Sequence, residues 1–265
     1  MSSCSVGIYG VGGRMGRALV AAVANDPDCT LGAAIAREGS ELVGLDAGTL
    51  AGVDAQGVAV GSDLSATNDV LIDFSQPEPS LLAVAACVAQ SRPIVIGTTG
   101  YNPAQLEEIH AAAHRIPLLL APNMCVGVNL AFQLIEMAAK VLGDEVDIEV
   151  IESHHRDKVD APSGTAVKIG EILADATGRD LQKVALYGRE GNTGVRDRKA
   201  IGFSAVRAGD IVGEHTVLFA GDGERIEITH KASSRMNFAL GGVRAAKWLV
   251  GQRPGLYSMT DVLQS

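Results

Sequence analysis

Apolar runs that end in glycine or small polar residues alternate with helical stripes through the first half of the chain. SVGIYG (5–10) is followed by a segment in which Met15, Leu19, Ala22 and Val23 recur at helical spacing, and the sequence from Asn25 to Pro27 stops it. TLGAAIA (30–36) supplies the next strand and completes a βαβ unit of the length used for mononucleotide binding. Further strands are predicted at 70–75 (VLIDFS), 93–100 (PIVIGTTG) and 117–123 (PLLLAPN), with helices over about 79–91 and 103–114 between them. Continuous apolar strands separated by helices specify a parallel sheet covered on both faces.

The pattern changes after a helix at about 126–140. DIEVIES (147–153) alternates polar and apolar positions. IGFSAVRAG (201–209), GEHTVLFAG (213–221) and GERIEITHKA (223–232) read as antiparallel, half-exposed strands separated by glycine-containing turns. An open mixed sheet is expected, with one face available to a helix or to another subunit. RMNFALGGVRAAKWLVG (235–251) returns to helical periodicity, with Phe238, Val243, Ala246 and Leu249 on its apolar side. Such a closing helix crosses back to the first domain. The expected division is therefore a Rossmann-type doubly wound α/β domain over 1–125 and 236–265, and an α+β substrate and oligomerisation domain over 126–235.

Composition narrows the partners. Of the 265 residues 47% are hydrophobic and only 4% aromatic, so the interior is aliphatic, as in buried parallel sheets. A net charge of −9 argues against nucleic acid, whose binding requires many cations. Cys4, Cys29, Cys87 and Cys125 are dispersed with no CxxC, which suggests neither a disulfide framework nor a metal site. The first residues lack a cationic segment followed by an apolar core, and no stretch reaches membrane-spanning length without charge or glycine, so a cytoplasmic location and no membrane partner are expected.

Against that background two segments carry chemistry. The first is GVGGRMGR, residues 10–17, at a strand-to-helix turn. Gly10 and Gly12 fit the dinucleotide fingerprint, its third position is Met15, and the fuller spacing is Gly10, Gly13, Gly16. Backbone without side chains and a helix N-terminus suit a pyrophosphate; the competing reading is a purely structural glycine turn. At the end of the second strand, where an NAD-preferring site carries a carboxylate, this chain has Ala36 and Arg37. Arg37 suits a 2′-phosphate or stacks on adenine, which makes NADPH at least as good a coenzyme as NADH, unless Arg37 is an exposed residue touching nothing. Small and polar strand ends at Gly97, Thr98, Thr99, Ala121, Pro122 and Asn123 form the natural rim of a nicotinamide site, although the threonines would serve equally as turn formers.

The second segment is ESHHRDKVDAPSGTA (152–166), a cationic cluster in an acidic chain. On an extended strand His154 and His155 face opposite ways, and a turn would return Lys158 to the side of one of them. No carboxylate or cysteine completes a ligand set and Lys158 would repel an ion, so no metal is expected. Ser163 is a candidate N-cap, and Gly164 and Thr165 present the N–H groups of a helix start, an arrangement that serves either simple capping or a carboxylate. Two such anion subsites suit a small dicarboxylate. Reduction of a C=N or conjugated C=C needs a proton, which His154 or Lys158 would supply.

These residues resemble the signature of the 4-hydroxy-tetrahydrodipicolinate reductase (dihydrodipicolinate reductase) family of lysine biosynthesis. The further blocks GVGGRMGR, DFSQPE, VIGTTGY, APNMCVGVN, AIGFSAVRAGDIVGEHTV and ITHKASSRMNFA are similar to the family's and stand in the same order over nearly the whole chain. The resemblance implies a homotetramer that reduces a cyclic imine dicarboxylate with NAD(P)H and loss of water. It implies His154 as acid and Lys158 as second catalytic cation, with His155, Ser163, Gly164 and Thr165 on the substrate carboxylates. Coenzyme contacts fall on Gly10, Val11, Gly12, Gly13, Arg14 and Met15, on Arg37, on Gly97, Thr98 and Thr99, and on Ala121, Pro122, Asn123 and Met124. Some members carry an acidic residue in place of Ala36 and an Arg in place of Gln76, so the choice of NADH or NADPH stays open. Rival readings are another small-substrate dehydrogenase on this fold and a non-catalytic NAD(P) sensor.

Overall fold

The computed structural model describes residues 3–264. The chain divides into two compact units, one running through Val126 and resuming at Arg235, the other Gly127–Ser234.

In the first unit β1 (Cys4–Tyr9), α1 (Arg14–Ala24), β2 (Cys29–Ile35), α2 (Ala47–Ala51) and β3 (Val60–Gly61) precede β4 (Val70–Asp73), α3 (Pro77–Ala89), β5 (Ile94–Ile96), α4 (Pro103–Ala113) and β6 (Pro117–Leu120). Proline at the first turn preorganises α3 and α4, and at α4 Asn102 and Gln105 close a capping box. Alternate residues of each strand go to opposite faces: Val6, Ile8, Val70, Ile72 and Val95 join α1 in one core, while Leu71, Ile94 and Ile96 join α3 and α4 in another.

The second unit contains α5 (Val126–Leu142), which begins at its boundary, then β7 (Asp147–His154), α6 (Gly164–Ala176), α7 (Leu181–Val184), β8 (Ala185–Tyr187), β9 (Ile201–Arg207), β10 (Gly213–Ala220) and β11 (Arg225–Ala232). Its sheet runs β11-β10-β7-β9-β8 and is mixed. The three late strands expected to be antiparallel neighbours are not all so. β10 and β11 form a hairpin, but β9 pairs parallel with both β7 and β8. The reason lies in the link from β9 to β10, which crosses the end of β7: Ala208 N–H donates to the His154 carbonyl at 2.9 Å and Arg156 N–H to that of Gly209 at 3.2 Å. Ile135 and Ala139 of α5 and Ile169 and Leu173 of α6 pack with Ile148, Val150, Phe203, Val217 and Phe219, leaving Ile151 and Val206 exposed elsewhere on the sheet. Residues 126–145 are long and apolar enough to cross a membrane by length and composition; here they carry a Glu136–Lys140 ion pair, with Ile135 and Ala139 buried in this core.

The chain then returns through α8 (Met236–Leu249), β12 (Gly255–Tyr257) and α9 (Met259–Leu263) to the first unit. Val243, Ala246 and Leu249 are buried as their spacing predicts, but Phe238 is half-buried and Ala239 takes the core position beside it. β12 adds to β6, so the all-parallel sheet has seven strands in the order β12-β6-β5-β4-β1-β2-β3. Strand order reverses between β1 and β4, and ligands of such sheets bind outside the carboxyl ends at that point.

Candidate active site

At the switch point, Gly10 turns the chain with φ +84°, and a Cβ there would lie 2.6 Å from the Phe74 carbonyl oxygen, so only glycine fits. Gly13 caps α1 without a side chain, and the first turn holds no acidic residue. The positive end of that helix therefore faces outward unshielded. A cleft of about 460 Å³ opens here, lined by Gly10, Gly12, Gly13, Ala36, Arg37, Ser40, Leu42, Phe74, Ser75 and Gln76 among others. Glycine edges, an uncapped helix start and a guanidinium fit an adenine dinucleotide.

Not every expected contact reaches that cleft. Val11 is sealed and Met15 packs on the core, so these positions offer a ligand backbone more than side chain, whereas Arg14 is exposed. Gly97, Thr98, Thr99 and Ala121 to Met124 lie outside the lining. Thr98 is buried: its hydroxyl donates to Asp73 Oδ2 at 2.9 Å and accepts from Ser75 N–H at 2.9 Å. Thr99 and Pro122 are exposed and Asn123 half-buried, while Ala121 is buried and Met124 belongs to the core. Ser40 and Leu42, which sequence reasoning missed, lie in the loop following Arg37.

Asp73 closes β4 and has no exposure. Ser75 donates to its Oδ1 at 2.6 Å, Ser80 and Thr98 donate to Oδ2, and Tyr101 donates to Ser80 at 2.5 Å. Burial pushes its carboxyl pKa up, and the three hydroxyls oppose that rise.

The cationic cluster sits at the end of β7 in the second unit. Alternation puts Ile148, Val150, Glu152 and His154 on the covered face, and His155, past the strand end, is half-buried. A turn follows, with Lys158 N–H donating to the His155 carbonyl at 3.1 Å. Lys158 Nζ pairs with Asp160 Oδ1 at 2.8 Å. Burial lowers the His154 pKa; Glu152 opposes the shift, while Lys158 and Arg207 add to it.

Ser163 caps α6 as expected, its hydroxyl accepting from Ala166 N–H at 3.2 Å and bonded to His215 Nε2 at 2.9 Å. With 2% exposure and these two partners, Ser163 orders the helix start. Gly164 beside it is exposed, and a Cβ there would meet nothing within 4 Å; Thr165 follows, half-buried.

Three residues of this site escaped sequence reasoning. Glu152, 1% exposed, accepts from Arg207 through both oxygens at 2.7 Å, from His154 Nδ1 at 2.6 Å and from Ser163 N–H at 3.1 Å. His215 meets His154 edge to face with ring centroids 5.2 Å apart, and burial takes its pKa down to about 4. Arg207 stands opposite His154 in the β7–β9 register, and His215 opposite Glu152 in the β7–β10 register. The available signal was Glu152 itself, a carboxylate on the covered face of an alternating strand.

The family model described as dihydrodipicolinate reductase, N-terminus, matches residues 4–124, and the one described as dihydrodipicolinate reductase, C-terminus, matches residues 127–263. Among solved structures, the chain is similar to a dipicolinate-bound dihydrodipicolinate reductase from Paenisporosarcina sp. TG-14, with TM-score 0.75 and 26% identity over 97% of each chain. An amine dehydrogenase from Mycobacterium smegmatis shares the fold at 15% identity, with TM-score 0.61 over 97% of this chain and 95% of that one. GenD2 from gentamicin A biosynthesis, in complex with NAD, does so at 16% identity and TM-score 0.61 over 99% and 91%. With a glycine-edged dinucleotide cleft in the first unit, a histidine–lysine cluster in the second and both halves matched in order, the chain belongs to the dihydrodipicolinate reductase family.

Proposed function

We propose that this protein is an NAD(P)H-dependent 4-hydroxy-tetrahydrodipicolinate reductase, forming tetrahydrodipicolinate with loss of water in diaminopimelate and lysine biosynthesis. The first unit binds coenzyme and the second binds substrate. The observation that carries this reading is the stretch 154–165, where one buried carboxylate, Glu152, holds both a titratable imidazole and the start of α6, with the Lys158 ammonium acting on that imidazole. The dipicolinate in the Paenisporosarcina relative is a ring dicarboxylate of the kind this stretch suits.

The reduced coenzyme, when bound, supplies a hydride to the substrate. Gly10, Gly12, Gly13 and the start of α1 would hold its pyrophosphate, with Arg37 on the lining and Arg14 exposed in the first turn of α1. Arg37 stands where a carboxylate would select NADH, so NADPH is used at least as well as NADH. Gly97, Thr99 and the 121–124 segment, beyond the lining of the open cleft, would meet the nicotinamide end chiefly through their backbone, with Thr98 fixing that rim through Asp73.

On the substrate side, Lys158, released from Asp160, serves as the second catalytic cation, and His155 binds one substrate carboxylate. Gly164 and Thr165 N–H groups, in the field of α6, hold the other carboxylate, and Ser163 supports them by capping. His154 delivers the proton from Nε2. The exposed face of the five-stranded sheet, with Ile151 and Val206, is the surface on which a homotetramer would form.

Steady-state kinetics tests this reading, with the imine generated in place by a coupled synthase and NADH and NADPH compared side by side. Imine-dependent oxidation of coenzyme, inhibited by dipicolinate, is expected. Coenzyme binding without imine-dependent turnover would leave a sensor instead.

A further inference from the structure

Glu152 is saturated: two donors reach each oxygen, Arg207 and Ser163 N–H on Oε1, Arg207 and His154 Nδ1 on Oε2. A carboxylate held bidentately by a guanidinium only accepts, so Nδ1 of His154 must carry hydrogen toward it. The other ring nitrogen faces a different environment. A Cβ built on Gly213, the first residue of β10, would lie 3.1 Å from His154 Nε2, so glycine there keeps a side chain away from that edge.

Among the described residues, the charged and titratable groups that bear on the ring come from several elements. Glu152 lies on its own strand, Lys158 and Asp160 on the turn that follows, Arg207 on β9 and His215 on β10, with His230 of β11 opposite His215. Glu152 is the anion in direct contact with the imidazole, set against burial, Lys158 and Arg207.

We infer that Glu152 is the positioning residue of this site: its carboxylate holds the His154 ring by Nδ1, which leaves Nε2 as the proton-exchanging nitrogen, and ties that ring to the Ser163 cap of α6. The inference rests on the proposed role of His154. One carboxylate thus sets both the proton donor and the helix start that receives the substrate anion. Arg207 keeps that carboxylate ionised and fixed in rotation without competing for Nδ1.

The test is nitrogen NMR on the whole protein, reading the two ring nitrogens of His154 across pH, beside pH profiles of kcat and KM for wild type, Glu152→Gln and Glu152→Asp. Wild type is expected to show hydrogen on Nδ1 in the neutral ring. Glu152→Gln removes the anion, so its His154 midpoint falls, the limb of the kcat profile falls with it, and kcat drops about 10²-fold as for a mispositioned acid. KM for coenzyme stays unchanged, and Glu152→Asp recovers part of kcat. Hydrogen on Nε2 in neutral wild-type His154 overturns the inference without any variant. So does a folded Glu152→Gln protein with an unmoved midpoint. Expected nitrogen spectra in a protein that does not turn over the imine would sink the proposed activity and leave the positioning role standing.

Discussion

Asp73 closes β4 in the first unit and Glu152 lies near the end of β7 in the second; both are sealed from water, and their surroundings differ in kind. Three hydroxyls and no cation meet Asp73 in hydrogen bonds, whereas a bidentate guanidinium, an imidazole and an amide meet Glu152. Their titrations move in opposite directions. Burial dominates at Asp73 and raises its pKa, while hydrogen bonds from Arg207, His154 and Ser163 outweigh burial at Glu152 and lower its own. Neutral donors satisfy a buried carboxylate without offsetting its desolvation; a fixed cation does offset it. The first unit therefore uses its carboxylate to tie loops together, and the second keeps a permanent anion beside a histidine.

The most severe way to break the contrast is Glu152→Ala, which takes the carboxylate from a half-buried Arg207 and leaves His154 Nδ1 and the Ser163 N–H without their acceptor. A loss of about 1–3 kcal/mol or more at pH 7 is expected in urea unfolding, the scale of hydrogen-bond partners left unmet. Because the folded pKa of Glu152 lies below its unfolded value of about 4.3, this stabilisation is present above that pH. It is lost as pH falls through the folded value, so the deficit of the variant must shrink in acid.

Next come His154→Gln and Lys158→Ala, each expected to lower kcat by about 10²-fold or more while coenzyme binding, measured by fluorescence, is unchanged. Near-normal turnover in both would remove the second unit's claim to the chemistry.

Asp73→Asn is milder, about 1–3 kcal/mol, since an amide cannot accept from all three hydroxyls. Here the sign reverses. The folded pKa of Asp73 lies above its unfolded value of about 3.9, so the wild-type advantage is full below that value and declines as pH rises through the folded one. Unfolding midpoints from pH 4 to 7 should show the deficit narrowing upward, opposite to Glu152→Ala.

The smallest effect is at Arg37, a cation with no ion pair among the described residues. Arg37→Ala should raise KM for NADPH about tenfold, the scale of one charge-assisted contact, and leave KM for NADH nearly unchanged.

What was readable in the sequence follows from which constraints are local. The Gly10 turn was legible because strand, positive φ and close approach to Phe74 all demand glycine within a few residues of one another. The Ser163 cap was legible for the same reason. Glu152, Arg207 and His215 were not: they meet only through the registers of β7 with β9 and β10, and those registers depend on a crossing connection that looks like a hairpin in one dimension. The tie from Thr98 to Asp73 was hidden in a similar way, since that partner ends the neighbouring strand. β12 escaped notice because three residues are too few to establish a period.

The return of α8 and β12 sets an order on synthesis. When a nascent chain has emerged only through the second unit, β6 is still a raw sheet edge and the apolar face that Val243, Ala246 and Leu249 will cover is open to water. The unit that leaves the ribosome first is thus the last to be completed, and until then it is the part of the molecule most in need of a chaperone.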